Sequence, residues 1–530
     1  MCWARASSTS AWATGRRSRS GCAPAAIRSE PDDRPHDLPS TIKCAGSLVP
    51  PVPLPNNDHP LNRRDAHDKR WSTRGRNDGV IERKQVAFTG TRSVEAGLTW
   101  SQQEIWSLIE DAAPEDHVYN VVGVIDVPDG TRLDEDHCLR AVSFFVSRHE
   151  ALRTLFPRDR HGRVFQRVLR KGGVPVAVAR ADGAGVAGTA AAFREDFASR
   201  PFSYADELPV RIGLVVSGGD VRAAVYAFSH MAVDWFGLDA LLREVRAYFR
   251  DGGNLPPLAD DAPRPADLAN HQASPEGVAR GTRTLRHIET TFGGRPLLPL
   301  PPALGTPTTG PRHHRAALRS PAANLATGVI ARHMGLSTTS VVLGCAAALL
   351  AERTGSGTVD LLLTSSQRFD RDLRHMVATL MQEAYFSVDV TGAADAFEVV
   401  KRSWRASITA YRNAGCATDA LTELLGRLGD GPDAPLKLSH CFNDKRGRTE
   451  PVPLAPGTDP RDLLGDSTLT WLPVTEREPF YLVVDEDGDA MKFSLTCDAA
   501  HFAPADTEDF LRALENSLLT AAGRVPAAGG

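Results

Sequence analysis

The chain has 530 residues, 42% of them hydrophobic, and 61 basic against 65 acidic side chains leave a formal charge of -4. That length exceeds one ordinary domain, and that apolar content excludes wholesale disorder. The near-neutral charge excludes the broad positive field of a nucleic-acid binder, and no run approaches the ~20 apolar residues of a membrane span.

Residues 1–84 are rich in Arg, Ser, Pro, Asn and Asp and lack apolar periodicity. They read as a disordered N-terminal extension, because such a segment cannot bury enough surface to offset its ordering entropy. No continuous apolar run of the secretory type is present in them. The eight cysteines are scattered with no C-x-x-C pair. They are therefore expected to be reduced thiols, neither a disulfide frame nor a zinc site, which points to the cytoplasm.

Patterned sequence begins near Gln85. Thr99 stands as an N-cap before a helical pattern carrying Ile105, Trp106 and Ile109. A β-branched run over 118–127 predicts a buried strand, and 133–156 predicts one long helix. Short strands are expected at 164–169 and 174–178, then a helix over 187–199. Ser217-Gly218-Gly219-Asp220 separates strands at 209–216 and 221–228 as a hairpin turn. A helix over 236–249 follows, so residues 231–235 form a short strand-to-helix connection that can present side chains to a cleft.

Proline and glycine punctuate 251–276 and again 293–311, the latter reading as the linker between lobes. Beyond it come a strand at 313–319, helices at 321–334 and 338–353, and strands at 359–364 and 384–390. Helices at 395–412 and 418–427, several strands between 435 and 497, and a helix at 507–522 complete the chain. The expected organisation is α/β (α+β) in two lobes, 85–265 and 266–525.

His230-Met231-Ala232-Val233-Asp234 is an H-x-x-x-D motif in that connection. A neutral imidazole at a cleft mouth can take a proton from an amine, hydroxyl or thiol during acyl transfer. The Asp, turned inward, can pair with an arginine and lock the loop. Among 16 histidines about one chance match is expected. A second match, His440-Cys441-Phe442-Asn443-Asp444, reads as a strand end running into a turn. Ser229 is not taken as a nucleophile, since adjacent residues at a strand end face opposite ways and no G-x-S-x-G elbow surrounds it. No phosphate-binding G-x-x-x-x-G-K-[ST] loop is present, so substrate activation must come from elsewhere.

The ordered set of segments resembles the condensation domains of nonribosomal peptide synthetases, in the chloramphenicol acetyltransferase-like superfamily. Leu98-Thr99-Trp100-Ser101-Gln102-Gln103-Glu104-Ile105-Trp106 is similar to that family's first core motif. Arg148-His149-Glu150-Ala151-Leu152-Arg153-Thr154-Leu155-Phe156 is similar to its second. Ser229 to Trp235 stands where H-H-x-x-x-D-G belongs, Gln367-Arg368 where Asn-Arg belongs, and Val377 to Gln382 where Val-Gly-x-Phe-Val-Asn belongs.

The resemblance implies two acetyltransferase-like lobes meeting in a V around a central tunnel. His230 would be the general base or the positioner of the nucleophile. Asp234 would be structural, paired with Arg153 or Arg368. Ser229, Trp235 and Gln382 would line the tunnel. No metal and no bound cofactor are implied. The phosphopantetheine arm would arrive on an acyl or peptidyl carrier protein in trans (or as coenzyme A), and the acceptor would be a small-molecule amine or hydroxyl.

Two departures bear on this. The family's first motif His is Ser229, and the Gly after the Asp is Trp235, whose indole would fill the tunnel, shape the acceptor pocket or enter the core. The resemblance therefore leaves two other readings beside carrier-dependent acyl transfer: a non-catalytic recruitment scaffold, and a coenzyme A-dependent acyltransferase on the same fold.

Overall fold

Each half of the chain folds as a twisted sheet with helices packed on it. The structure, a computed structural model, describes residues 44–45, 81–127, 131–253, 255–256, 258, 262–301, 311–431, 434–446, 458–474 and 478–526. All of them belong to one compact unit, Ile42–Gly530.

The first half contributes β1 (Cys44–Ala45), β2 (Ile81–Thr89), β3 (Val94–Ala96), α1 (Trp100–Ala112), β4 (Asn120–Asp126) and α2 (Glu135–Arg148). It continues with β5 (Thr154–Leu155), β6 (Gln166–Val168), β7 (Lys171–Arg180), α3 (Val186–Ser199), β8 (Val210–Ser217), β9 (Asp220–Ser229) and α4 (Trp235–Arg250). Its main sheet has the order β1-β4-β9-β8-β7-β2, and β3, β6 and β5 form a small separate one.

Next come α5 (Pro265–Gln272) and α6 (Pro275–Phe292). The second half then has β10 (His313–Ser320), α7 (Pro321–Met334), α8 (Thr338–Thr354), β11 (Thr358–Ser365), β12 (Gln382–Asp389), α9 (Ala396–Arg412) and α10 (Thr418–Leu428). It closes with β13 (His440–Asp444), β14 (Thr468–Leu472), β15 (Phe480–Asp487), β16 (Ala490–Asp498) and α11 (Pro504–Ala522). Its sheet order is β12-β11-β13-β15-β16-β10-β14.

The elements follow local chemistry where local chemistry is strong. Gly218 and Gly219 both take positive φ (61° and 86°), as a two-residue turn with the strands' own twist requires, and β8 and β9 pair antiparallel from Ser217↔Asp220 onward. In the second half, α7, α8 and α11 cover one face of the sheet. Their Ala323, Ala326, Val342, Leu343, Leu511 and Leu514 pack with Leu361, Phe386, Phe493 and Leu495 of the strands. Among the described residues no single helix is long and apolar enough to cross a membrane; α7 and α8 together would be, but they are bent 105° apart.

The structure corrects three expectations. The helix expected over 133–156 stops at Arg148. His149 leaves the helical region (φ -104°, ψ 116°), Glu150–Arg153 forms a 3-10 turn, and Thr154–Leu155 is a strand. Past the break, Arg153 is drawn inward onto the main-chain carbonyls of Leu169 (2.5 Å) and Arg92 (3.1 Å), contacts that an uninterrupted local helical pattern does not encode. Next, the stretch over 251–276 contains α5, and α6 follows it; each has proline in its first turn, where the missing N–H costs nothing, so punctuation there marked helix starts. Finally, the extension assigned to 1–84 lies almost wholly outside the described residues, but β2 already starts at Ile81, and Cys44–Ala45 pairs with Val124 and Ile125.

Candidate active site

β4 and β9 pair antiparallel with Asn120 opposite Ser229, so β9 delivers its last residue to the edge of the first half's sheet. The chain then turns. Ala232 N–H and Val233 N–H both donate to the Ser229 carbonyl (2.9 and 3.4 Å), and Met231, Ala232 and Val233 are buried. The motif after Leu98 supports this turn from below. Thr99 and Gln102 form a reciprocal capping box at the start of α1. The Gln102 amide nitrogen also donates to Gln166 Oε1 (3.1 Å) and to the Met231 carbonyl (3.4 Å).

Asp234 serves both halves. Its Oδ1 accepts the Gly237 N–H (2.7 Å) and caps α4. Its Oδ2 accepts Arg368 Nη1 (2.8 Å), Leu380 N–H (2.8 Å) and Met381 N–H (3.0 Å). Arg368 completes the latch by donating to the carbonyls of Ala378 (2.9 Å), Ser366 (3.1 Å) and Met376 (3.3 Å). Asp234 is 2% and Arg368 8% exposed, so the pair is sealed from water. The segment 376–381 thus reaches across from the second half, and Gly237 lets it close: a Cβ there would stand 2.4 Å from the Ala378 carbonyl oxygen. Arg153, the other arginine expected on Asp234, is not there. It is 1% exposed, and besides its two carbonyls it meets Glu150 (3.4 Å). Arg148 pairs with Glu244.

His230 is half-buried, with its main-chain N–H on the Tyr119 carbonyl (3.3 Å) and its Nδ1 3.4 Å from Thr379 Oγ1. Burial lowers its pKa. A ring bond to its own backbone and the Asp234 charge oppose that shift, and the Lys445 charge adds to it. The ring is therefore neutral at physiological pH.

Ser229 is sealed (1% exposed), its Oγ accepting the Met231 N–H (3.2 Å), so it lines nothing. Gln382 is buried too, its amide nitrogen donating to the Cys416 carbonyl (3.1 Å). Trp235 alone of the three expected lining residues is open. It is 38% exposed, and its Nε1 donates to the Lys445 carbonyl (3.0 Å) at the end of β13. The second H-x-x-x-D match stays structural. His440 is fully buried against Phe480, and Asp444 is held by Arg446. Among the described residues no group of three or more His, Cys, Asp or Glu side chains could hold a metal ion.

Sequence reasoning did not single out Thr379, Lys445, Glu104 or Glu383. Each becomes relevant through partners more than 100 residues away, a separation that no local pattern encodes. The Glu104 carboxylate accepts from the Gln382 amide (3.4 Å) and from the Glu383 main chain. Burial first, then the Glu383 charge, push the Glu104 carboxyl upward.

A carboxyl raised on folding keeps its proton folded at pH values where the unfolded chain has lost it. Its contribution is therefore present below about pH 4.5 and lost as pH rises through the raised value. Glu104→Gln is expected to stabilise the protein by about 1–2 kcal/mol near pH 8, after discounting for water's access, and by much less near pH 5. Thermal melts at the two pH values check this, and a gain independent of pH would overturn it.

Gln367 takes φ 53°, the only positive value at a non-glycine among the described residues. Its amide holds that geometry by bonding Ser365 Oγ (3.0 Å) and accepting Arg280 Nη2 (2.9 Å). Asn tolerates this region and β-branched residues do not. Gln367→Val is therefore expected to cost about 2–3 kcal/mol in urea denaturation and Gln367→Asn well under 1 kcal/mol. Equal losses would show that the strain is not there.

Comparisons with known proteins bear on the family and the fold. The sequence model of the family described as Condensation domain matches residues 93–436. A probable non-canonical nonribosomal peptide synthetase, CymA of Salinispora arenicola, is 27% identical over 342 residues, 62% of this chain. The chain spans only 4% of that protein's length. A structure reported as the molecular basis for condensation domain-mediated chain release from the enacyloxin polyketide synthase superposes with a TM-score of 0.64 at 21% identity, covering 84% of this chain and 85% of that one. The X-domain in its complex with OxyB from teicoplanin biosynthesis superposes with a TM-score of 0.59 at 20% identity, covering 82% and 95%.

Proposed function

The chain belongs to the condensation-domain family, whose sequence model spans residues 93–436, and on that footing we propose that it is an acyltransferase acting on carrier-bound thioesters in natural-product biosynthesis. The observation that carries the reading is a neutral, half-buried imidazole on a turn that the Asp234–Arg368 latch holds in place. With the proton on Nδ1, near Thr379 Oγ1 and its own carbonyl, Nε2 offers its lone pair.

Nε2 takes the proton from the acceptor amine or hydroxyl as that group attacks the thioester carbonyl. Collapse of the tetrahedral intermediate breaks the C–S bond, and the imidazolium returns the proton to the leaving thiolate. Product is an amide or an ester, and the free thiol stays on the carrier's phosphopantetheine arm. The two halves would act as acetyltransferase-like lobes, 85–265 and 266–525, bounding the passage through which that arm reaches His230. Five described cysteines, Cys138, Cys345, Cys416, Cys441 and Cys497, are free and buried, which supports a reducing, cytoplasmic setting.

The test offers the same acyl group on a holo carrier protein and on coenzyme A, each with a panel of amines and alcohols, and reads products by mass spectrometry. Product from the carrier and little from coenzyme A is expected. Equal or faster transfer from coenzyme A would overturn carrier dependence. Carrier binding without product from either donor would favour a recruitment scaffold.

A further inference from the structure

We propose that Trp235 and Lys445 form the acceptor subsite beside His230, and that it takes an amine or alcohol bearing a carboxylate on a flat apolar body. The inference rests on the reading of His230 as the base and goes beyond it by naming the acceptor's chemistry.

Trp235 is the first residue of α4, directly after Asp234, so the latch that holds the His230 turn also fixes the indole. Its one polar atom is spent on the Lys445 carbonyl (3.0 Å), and 38% of the residue stays open to solvent. An indole anchored by its N–H and bare on its ring is a rigid apolar wall, able to stack a planar group at little entropic cost.

Lys445 follows β13 and is anchored by its own N–H on the Val484 carbonyl (2.8 Å). The neighbouring acid, Asp444, is already held by Arg446 through both carboxylate oxygens. The nearby Asp485 feels Lys445, Lys492 and Arg315 together, and burial keeps its carboxyl pushed upward. Lys445 itself is half-buried, and its ammonium has no hydrogen bond or ion pair among the described residues.

A half-buried ammonium whose nearby acid, Asp485, is shared with Lys492 and Arg315 and makes no ion pair with it is costly unless something completes it. The Lys445 main chain lies 3.0 Å from the indole nitrogen of Trp235, which follows the His230 turn directly, and the Lys445 charge acts on His230. A carboxylate on the acceptor would supply the missing partner. The acceptor's body would lie on the indole, with its nucleophile turned toward the imidazole.

Isothermal titration of the full chain with two probes of one skeleton tests this, 4-(aminomethyl)benzoate and 4-methylbenzylamine. The carboxylate probe should bind the native protein about tenfold tighter or more, the ratio a charge-assisted bond supplies. Lys445→Met should bring the two within about threefold and leave a melting temperature no lower than that of the native protein, since it removes a half-buried charge that makes no ion pair among the described residues. His230→Ala should keep the preference, and Trp235→Ala should weaken both probes. No preference, no binding of either probe, or a preference that survives Lys445→Met would overturn the subsite. A chain that keeps the preference but transfers no acyl group retains the subsite and loses the catalytic reading. One that transfers only to uncharged acceptors does the reverse.

Discussion

Replacing His230 with alanine is expected to lower acyl transfer from a loaded carrier by about a hundred- to ten-thousandfold, the usual worth of a positioned general base. Stability should barely change. The side chain is half-buried, and among the described residues its one hydrogen bond to another side chain is the 3.4 Å approach to Thr379, so its removal leaves no unpaired buried charge. Because burial lowers the imidazole pKa, its neutral form predominates through physiological pH. The rate of the native protein should therefore fall on acidification with a midpoint below about 6.5, and that limb should vanish in His230→Ala. Single-turnover product formation and a melting curve on the same preparation check both halves. An unchanged rate in a folded variant would remove His230 from the chemistry.

Asp234→Ala carries the second large effect, and it falls on stability as well as rate. The variant leaves the Arg368 guanidinium buried at 8% exposure without its anion, and strips acceptors from the N–H groups of Gly237, Leu380 and Met381. Removing one partner of a buried, hydrogen-bonded ion pair costs about 3–5 kcal/mol. Asp234→Asn keeps an oxygen for the α4 cap and should lose less. Urea denaturation followed by tryptophan fluorescence gives the two values. A loss under about 1 kcal/mol for Asp234→Ala would mean that the latch does not tie the two halves together. Activity should fall in step, since the carboxylate that holds the segment 376–381 also holds the turn carrying His230.

The two effects separate the parts of the site. On the proposed reading His230 would do the chemistry and contribute little to folding, whereas Asp234 shapes the loop through Arg368, Leu380 and Met381. Trp235, set between them in sequence, joins the far half through the Lys445 carbonyl and presents its ring outward. Trp235 thus stands where the H-H-x-x-x-D-G motif would place Gly. The close backbone approach needed here is provided two residues later by Gly237, against Ala378.

Much of this was legible in the residues taken alone, wherever the cause is local. The Thr99 cap with Gln102, the Gly218-Gly219 turn and the β-branched run after Tyr119 each settle their own backbone within a few residues. The H-x-x-x-D spacing alone offered two matches, and the order of the resembled motifs was needed to favour His230 and Asp234 over His440 and Asp444. What the tertiary structure alone decided depends on contacts between distant segments. Arg153 and Arg368 both stand in suitable motifs, yet only Arg368, 134 residues from Asp234, meets it, because Arg153 is taken by the carbonyls of Arg92 and Leu169. α2 also ends at Arg148, earlier than its helical pattern signals. Ser229 and Gln382 turn inward while Trp235 stays open to solvent with its Nε1 on the Lys445 carbonyl, because burial is set by how two sheets meet, and a sequence carries that information only as the sum of all its long-range packing.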